Sequence, residues 1–282
     1  MKVQRIAAFA DGARGGNPAG VVLADAMPPD AQMHATAADV GYSETAFVVP
    51  KADRFRVRYF SPESEVPFCG HATIALGAAL AMARGSGVFK LALNKANITV
   101  EGKVQGGKVQ GGTITAALQS PPTSSRKPAP ELTSEVLALF GYTQDDLDPR
   151  ISPALIHGGA DHFALALNSR AKLAAMKYDL DAGRKLMNAH GLVTILLAFA
   201  ETPQLFHTRN PFASGGVYED PATGAATAAF AGYLRDIAWP HGNRITIRQG
   251  EDMGAPSLLT AEFSDMPGSS IRVSGAARIM EV

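Results

Sequence analysis

The segment VPFCGHATIAL, from Val66 to Leu76, holds the chain's sole cysteine two residues before a histidine and just ahead of an alanine-rich run. Three chemistries fit those residue types: a thiol nucleophile with its base, a pair of metal ligands, or the opening of a helix whose amides hold an anion. A thiolate at a helix N-terminus is an activated nucleophile. Cys69, however, lies between Phe68 and Gly70 with no Cys-His-Asn/Asp set in local context, and reads as a small buried hydrophobe. His71 has no i+4 histidine and no HxH or HExxH partner, so no metal site is assigned. It fits better as a polar group at the helix mouth, donating to a substrate carboxylate or relaying a proton, or else as a structural histidine.

Two carboxylates offer proton chemistry. Glu44, in GYSETAFVV, enters an otherwise apolar run, where partial burial would penalise its charged form and suit it to exchange protons with a weakly acidic C–H. The alternative is a strand-edge glutamate facing water. Asp220, in YEDPATGAA, stands four residues before Gly224, with Pro221 stiffening the turn between them. An N-cap is its ordinary explanation, and neighbouring Glu219 leaves the choice between the two acids open on spacing alone. Asn17 in GGNPAG is a turn residue that could also touch a ligand. His157, Asp161 and His162, around IHGGADHF, sit on an expected turn, where solvated polar residues are the default. GARGGNPAG lacks both the P-loop lysine and GxGxxG spacing, which disfavours nucleotide binding.

Gly70 and Gly224 connect these candidates to the elements that must hold them. At one constant offset Gly70, Ala72, Thr73 and Ala75 fall on Gly224, Ala226, Thr227 and Ala229, and each set follows an arginine-bearing extended stretch. That match predicts an internal duplication. Two related lobes would each bring one glycine-led helix start to a cleft between them, where unpaired amides and the helix dipole favour an organic anion.

Strands are expected over KVQRIAAFA, AGVVLAD, SETAFVVP and DRFRVRYFSP, the last placing Phe55, Val57 and Tyr59 on one face and Arg54, Arg56 and Arg58 on the other. PPDAQMHATAADVG, HATIALGAALAMAR, ELTSEVLALFG and DAGRKLMNAHG read as helices. ITVEGKVQGGKVQGGTITAAL reads as a hairpin or meander, ISPALIHGGADHFALAL as two strands about a Gly-Gly turn, and GLVTILLAFA as a buried strand. QSPPTSSRKPAP, from Gln119 to Pro130, has the composition of an exposed connection. The boundary is therefore placed near residue 120, giving lobes 1–120 and 121–282, with a strand at about 270–282 able to return to the first.

The 282 residues suit one large or two ordinary domains, and 46% hydrophobic with 18% charged residues is ordinary for a compact chain. A formal net charge of +0 gives no electrostatic reason to expect nucleic acid or an anionic membrane. One cysteine excludes an intramolecular disulfide, and the N-terminus lacks a signal-peptide core, so a cytoplasmic location is expected.

Taken together and in order, GNPAGVVL, YSETAFV, RYFSPESEVPFCGHAT and EDPATGAA resemble the PhzF-like family of phenazine-biosynthesis proteins, essentially end to end. The resemblance implies an α+β fold of diaminopimelate-epimerase type, with two pseudo-symmetric lobes, each a curled β-sheet around a central helix, and a homodimer. It further implies a cofactor-independent isomerase acting on a small carboxylate. Glu44 matches the catalytic acid/base; Asp220 and His71 match residues that assist it; Ser43, Gly70 and Gly224 match pocket-lining residues. Ala225 departs from the family's usual serine, whose hydroxyl helps hold the substrate carboxylate. Fold relatives that epimerise amino acids use two thiols, but here Cys69 is answered by Thr223, too weak an acid for the task. The other readings are a non-catalytic carboxylate-binding protein and a Cys69-dependent hydrolase.

Overall fold

A computed structural model describes residues 1–105 and 113–281. The chain divides into two compact units, Met1–Gln119 with Ser274–Val282, and Ser120–Val273.

The first unit is built from β1 (Gln4–Ala10), β2 (Asn17–Leu23), α1 (Asp30–Val40), β3 (Thr45–Lys51), β4 (Arg54–Phe60), β5 (Glu65–Val66), α2 (Gly70–Arg84), β6 (Gly87–Ala92), β7 (Asn97–Gln105) and β8 (Thr113–Pro122). Helix α2 is buried on every side from His71 to Ala81, as a helix apolar all round must be. Its small side chains let strands come close: a Cβ on Gly102 of β7 would collide with the Gly77 carbonyl oxygen, and one on Gly77 would lie 2.6 Å from Val100 Cγ2. Leu76 and Leu80 pack in one buried cluster with Val21, Val48, Val57, Leu91 and Val100. Each side chain so buried contributes about 1.5–3 kcal/mol. Helix α1 ends as its sequence predicts, at Gly41 with φ 70°.

The second unit is built from β9 (Ser124–Arg126), α3 (Pro130–Phe140), β10 (Ala154–His157), β11 (Asp161–Leu167), α4 (Arg170–Ala174), α5 (Leu180–Ala189), β12 (Thr194–Thr202), β13 (Leu205–Phe212), β14 (Val217–Asp220), α6 (Gly224–Asp236), β15 (Arg244–Gln249), β16 (Ser257–Glu262) and β17 (Ser270–Ile279). Of β17, only Ser270–Val273 belong to this unit; Ser274 onward belongs to the first, where Ile279 pairs opposite Ile6 of β1. Helix α6 is buried from Ala226 to Arg235. A Cβ on Gly158 would lie 2.8 Å from the Ala229 nitrogen, so this strand end also meets the helix at backbone distance.

Strand pairing repeats between the units. In the first, β1–β2 is antiparallel, β2–β3 parallel, β3–β4 antiparallel, β4–β6 parallel and β6–β7 antiparallel. In the second, β10–β11, β11–β12, β12–β13, β13–β15 and β15–β16 follow the same five steps. Each unit adds a short antiparallel strand, β5 or β14, just before its buried helix. The sequence match of Gly70 with Gly224 thus marks equivalent helix starts.

Two sequence expectations need correction. Residues 119–130 are not an open connection: β8 runs on to Pro122, Ser124–Arg126 pairs with β10, and Pro130 opens α3. Proline is tolerated at a strand end and favoured in a first helical turn, so its abundance there did not mean absence of structure. His162 is not a solvated turn residue either. It lies in β11, fully buried, with Nδ1 2.7 Å from Thr194 Oγ1. The expected hairpin pairs β7 with β8 antiparallel up to Gln105 opposite Thr113, and its Gly-Gly turn lies outside the described residues. Among those residues no helix is long and apolar enough to cross a membrane.

Candidate active site

Glu44 stands at the entry to β3. Its carbonyl accepts the Gly20 amide at 3.1 Å, which ties the residue to the first turn of the parallel β2–β3 pair. Helix α2 starts at Gly70, with Cys69 in extended conformation before it and His71 in its first turn. This brings three unlike side chains together. His71 Nε2 lies 3.3 Å from Glu44 Oε2 and 3.4 Å from Ser43 Oγ, while Nδ1 lies 3.3 Å from Cys69 Sγ. His71 is 8% exposed and the Glu44 side chain 15%. Glu44 Oε2 is itself buried and receives no aligned hydrogen bond among the described residues, so its contact with His71 is one of proximity.

A relay of hydroxyls fixes the backbone beneath this cluster. Thr73 Oγ1 donates to the Cys69 carbonyl at 2.6 Å, so the Tyr59 hydroxyl, 2.6 Å away, donates to Thr73. Burial pushes the Tyr59 hydroxyl pKa up, which keeps that proton in place. Asn17, 2% exposed, begins β2 opposite Ala8. Beside Ala8 sits Phe9 with φ 62°, at a register shift of the β1–β17 ladder. A bulky residue with that φ costs about 1–3 kcal/mol, and such bulges gather near functional sites.

In the second unit the two acids separate. Glu219 is buried and paired with Arg209, whose Nη1 also donates to the Ala174 carbonyl at 2.9 Å. Asp220 is half-buried instead, and its Oδ2 accepts the Thr223 hydroxyl at 2.5 Å. It is not the cap of α6: Thr223 holds that position, without a side-chain cap bond. Gln249, wholly buried, clamps the turn, with Nε2 donating to the Asp220 carbonyl at 2.6 Å and Oε1 accepting the Thr223 amide at 3.1 Å. Gly224 and Ala225 open α6, both half-buried. Asn210 pairs with Asp220 across β13 and β14, which sets both side chains on one face. It is fully buried, and neither amide atom has a hydrogen-bond partner among the described residues.

Ser43, Glu44, Gly70 and His71 therefore gather in the first unit, with Cys69 among them; Asp220, Gly224 and Ala225 gather in the second. Gln249, Tyr59, Thr73 and Asn210 carried no warning in sequence, because their roles arise from pairing between distant segments. The chemistry in the first unit is that of a sheltered carboxylate next to an imidazole and a row of helix-opening amides: it can take a proton from carbon and stabilise the resulting anion.

A repeated antiparallel–parallel strand order about a buried small-residue helix makes this an α+β protein of two similarly built units, the first with a carboxylate and a histidine at its helix opening. The family model for phenazine biosynthesis-like proteins matches residues 6–281, and the chain belongs to that family. It is 28% identical over 292 residues to the uncharacterized isomerase YddE of Escherichia coli O157:H7, covering 99% of this chain and 96% of the relative. It is 31% identical over 262 residues to trans-2,3-dihydro-3-hydroxyanthranilate isomerase of Pseudomonas fluorescens, covering 91% and 88%. Among solved structures, the Bacillus anthracis phenazine biosynthesis protein of the PhzF family superimposes with a TM-score of 0.85 at 20% identity, covering 100% of this chain and 98% of that one.

Proposed function

We propose that the protein is a cofactor-independent isomerase that moves a proton between carbons of a small carboxylated metabolite. Glu44 removes and returns the proton; His71 and Asp220 orient the substrate or relay protons; Ser43, Gly70, Gly224, Ala225 and Asn17 serve binding. The observation that supports this reading is the 3.3 Å approach of His71 Nε2 to a Glu44 carboxylate oxygen that receives no aligned hydrogen bond. Such a carboxylate keeps a lone pair for an incoming proton. Isomerase relatives of similar length agree with it. The test is incubation with a panel of small carboxylic acids in deuterated water, followed by proton NMR. Deuterium entering at carbon supports the reading; tight binding with no exchange at any carbon would leave a carboxylate-binding protein.

Ala225 sets an expectation for affinity. A hydroxyl donating to a carboxylate is worth about 1.5–3 kcal/mol, so Ala225→Ser should lower KM for a carboxylate that this helix opening holds by about tenfold or more. An unchanged KM would remove the α6 opening from the binding site.

The 3.3 Å contact of Cys69 Sγ with His71 Nδ1 favours a second reading, a thiol nucleophile activated by imidazole. Cys69→Ala separates the two. A carboxylate-based proton shift expects a modest change in turnover, whereas a thiol mechanism expects the loss of about 10²-fold or more that follows removal of a nucleophile.

A further inference from the structure

Glu44, Cys69 and His71 each offer a ligand atom, and these atoms lie within 4.8 Å of one another, the one such trio of histidine, cysteine and acidic side chains among the described residues. Zinc bonds of about 2.3 Å to sulfur and about 2.0–2.1 Å to nitrogen and oxygen, at tetrahedral angles, set ligand atoms about 3.3–3.6 Å apart. The spacings here are 3.3 Å for Glu44 Oε2 to His71 Nε2 and 3.9 Å for Cys69 Sγ to the same nitrogen. The sulfur faces Nδ1 at 3.3 Å, so a cation on Nε2 requires the Cys69 side chain to rotate from that nitrogen towards Glu44, whose ligand oxygen lies within 4.8 Å of it. The ligand types also fit: thiolate and imidazole select a soft or borderline cation over magnesium or calcium. One thiolate, one carboxylate and a neutral imidazole would balance a divalent charge. Glu44 Oε2, buried without an aligned donor, is an acceptor that such a cation would satisfy.

We propose that Glu44, Cys69 and His71 form a three-ligand site for a soft divalent cation, Zn²⁺ above all, whose occupancy silences the site by engaging Glu44. The silencing rests on the proton-transfer role proposed for Glu44; the binding does not. The ligands come from two segments that fold together, so neither segment alone displays a metal motif. With three protein ligands the fourth position stays open to water or to a substrate carboxylate.

Chelator-treated full-length protein is titrated with Co²⁺ as an optical probe, then with Zn²⁺. One equivalent of Co²⁺ should give a thiolate-to-metal charge-transfer band with tetrahedral visible absorption, and Zn²⁺ should displace it. Cys69→Ser should abolish the charge-transfer band. His71→Ala and Glu44→Gln should each weaken binding by about tenfold or more, with circular dichroism confirming that the variants fold. A missing band at saturating Co²⁺, or a Cys69→Ser protein that keeps the band, overturns the site. Hydrogen exchange into substrate is then followed on the metal-free protein as Zn²⁺ is added. Exchange that falls in step with site occupancy supports the silencing, and exchange unaffected by a filled site overturns it. Metal-free protein that exchanges no ligand hydrogen while the Co²⁺ band forms would instead defeat the isomerase reading and leave the metal site standing.

Discussion

Glu44→Gln is expected to bind carboxylate ligands with near-native affinity and to lose proton exchange by about 10²–10⁴-fold, the span a positioned general acid/base supplies. Glutamine preserves the size of the side chain and its acceptor oxygen, so the contacts around it change little: His71 Nε2 at 3.3 Å still meets a polar atom, and the Gly20 amide still bonds the residue 44 carbonyl. The carboxamide cannot accept a proton from carbon at ordinary pH. Binding and chemistry should therefore come apart, with calorimetry reporting affinity and NMR in deuterated water reporting exchange. A Glu44→Gln protein that turns over substrate as fast as wild type would take Glu44 out of the mechanism. Loss of both binding and exchange, with folding intact, would assign Glu44 to holding the ligand.

The reach of the sequence differed between elements and site. Helix α1 with its Gly41 stop, the alternating strand β4 and the apolar strand β12 all follow from local pattern, because each element's burial is set by its own side chains. The matched glycines at 70 and 224 do begin equivalent helices. Local composition misled at residues 119–130, where prolines sit at places that strand ends and first helical turns accept. The polar neighbours of Cys69, which packs against the core of the first unit, were hidden for a different reason. Nothing in VPFCGHAT says that His71 will turn one ring nitrogen to the sulfur and the other towards Glu44, a contact that depends on β3 arriving beside α2. Gln249 is a stronger case: it reaches the Asp220 turn only through the parallel pairing of β13 with β15. The different surroundings of Glu219 and Asp220 likewise depend on Arg209 in space, since the buried guanidinium pairs with Glu219 and leaves Asp220 half-buried.

Burial of His162 should make the second unit sensitive to acid. The residue is fully buried in β11, its Nδ1 is committed to Thr194 Oγ1, and its Nε2 has no hydrogen-bond partner among the described residues. A proton on Nε2 would create a cation with a donor facing no acceptor, so burial depresses the pKa to about 3 from an ordinary value of 6.5, despite the opposing pull of the Asp161 carboxylate. In the unfolded chain the imidazole titrates near its ordinary value. Between pH 6.5 and about 3 the unfolded state thus binds the extra proton and the folded state does not. Stability must rise with pH across that window and fall as pH drops through it, by up to about 1.4 kcal/mol per pH unit from this one group. Carboxylates held in ion pairs, such as Asp148 against Arg150, add acid sensitivity of their own, so the informative quantity is a difference between proteins. Replacing both partners, His162→Leu with Thr194→Val, removes the titrating group without stranding the hydroxyl, a swap that can be nearly neutral at pH 7. Urea denaturation from pH 7 down to pH 4 should show the double variant losing less stability than wild type, with the gap widening below pH 6. Parallel curves for the two proteins would mean that His162 takes up its proton in the folded state, and that β11 yields enough to let water reach Nε2.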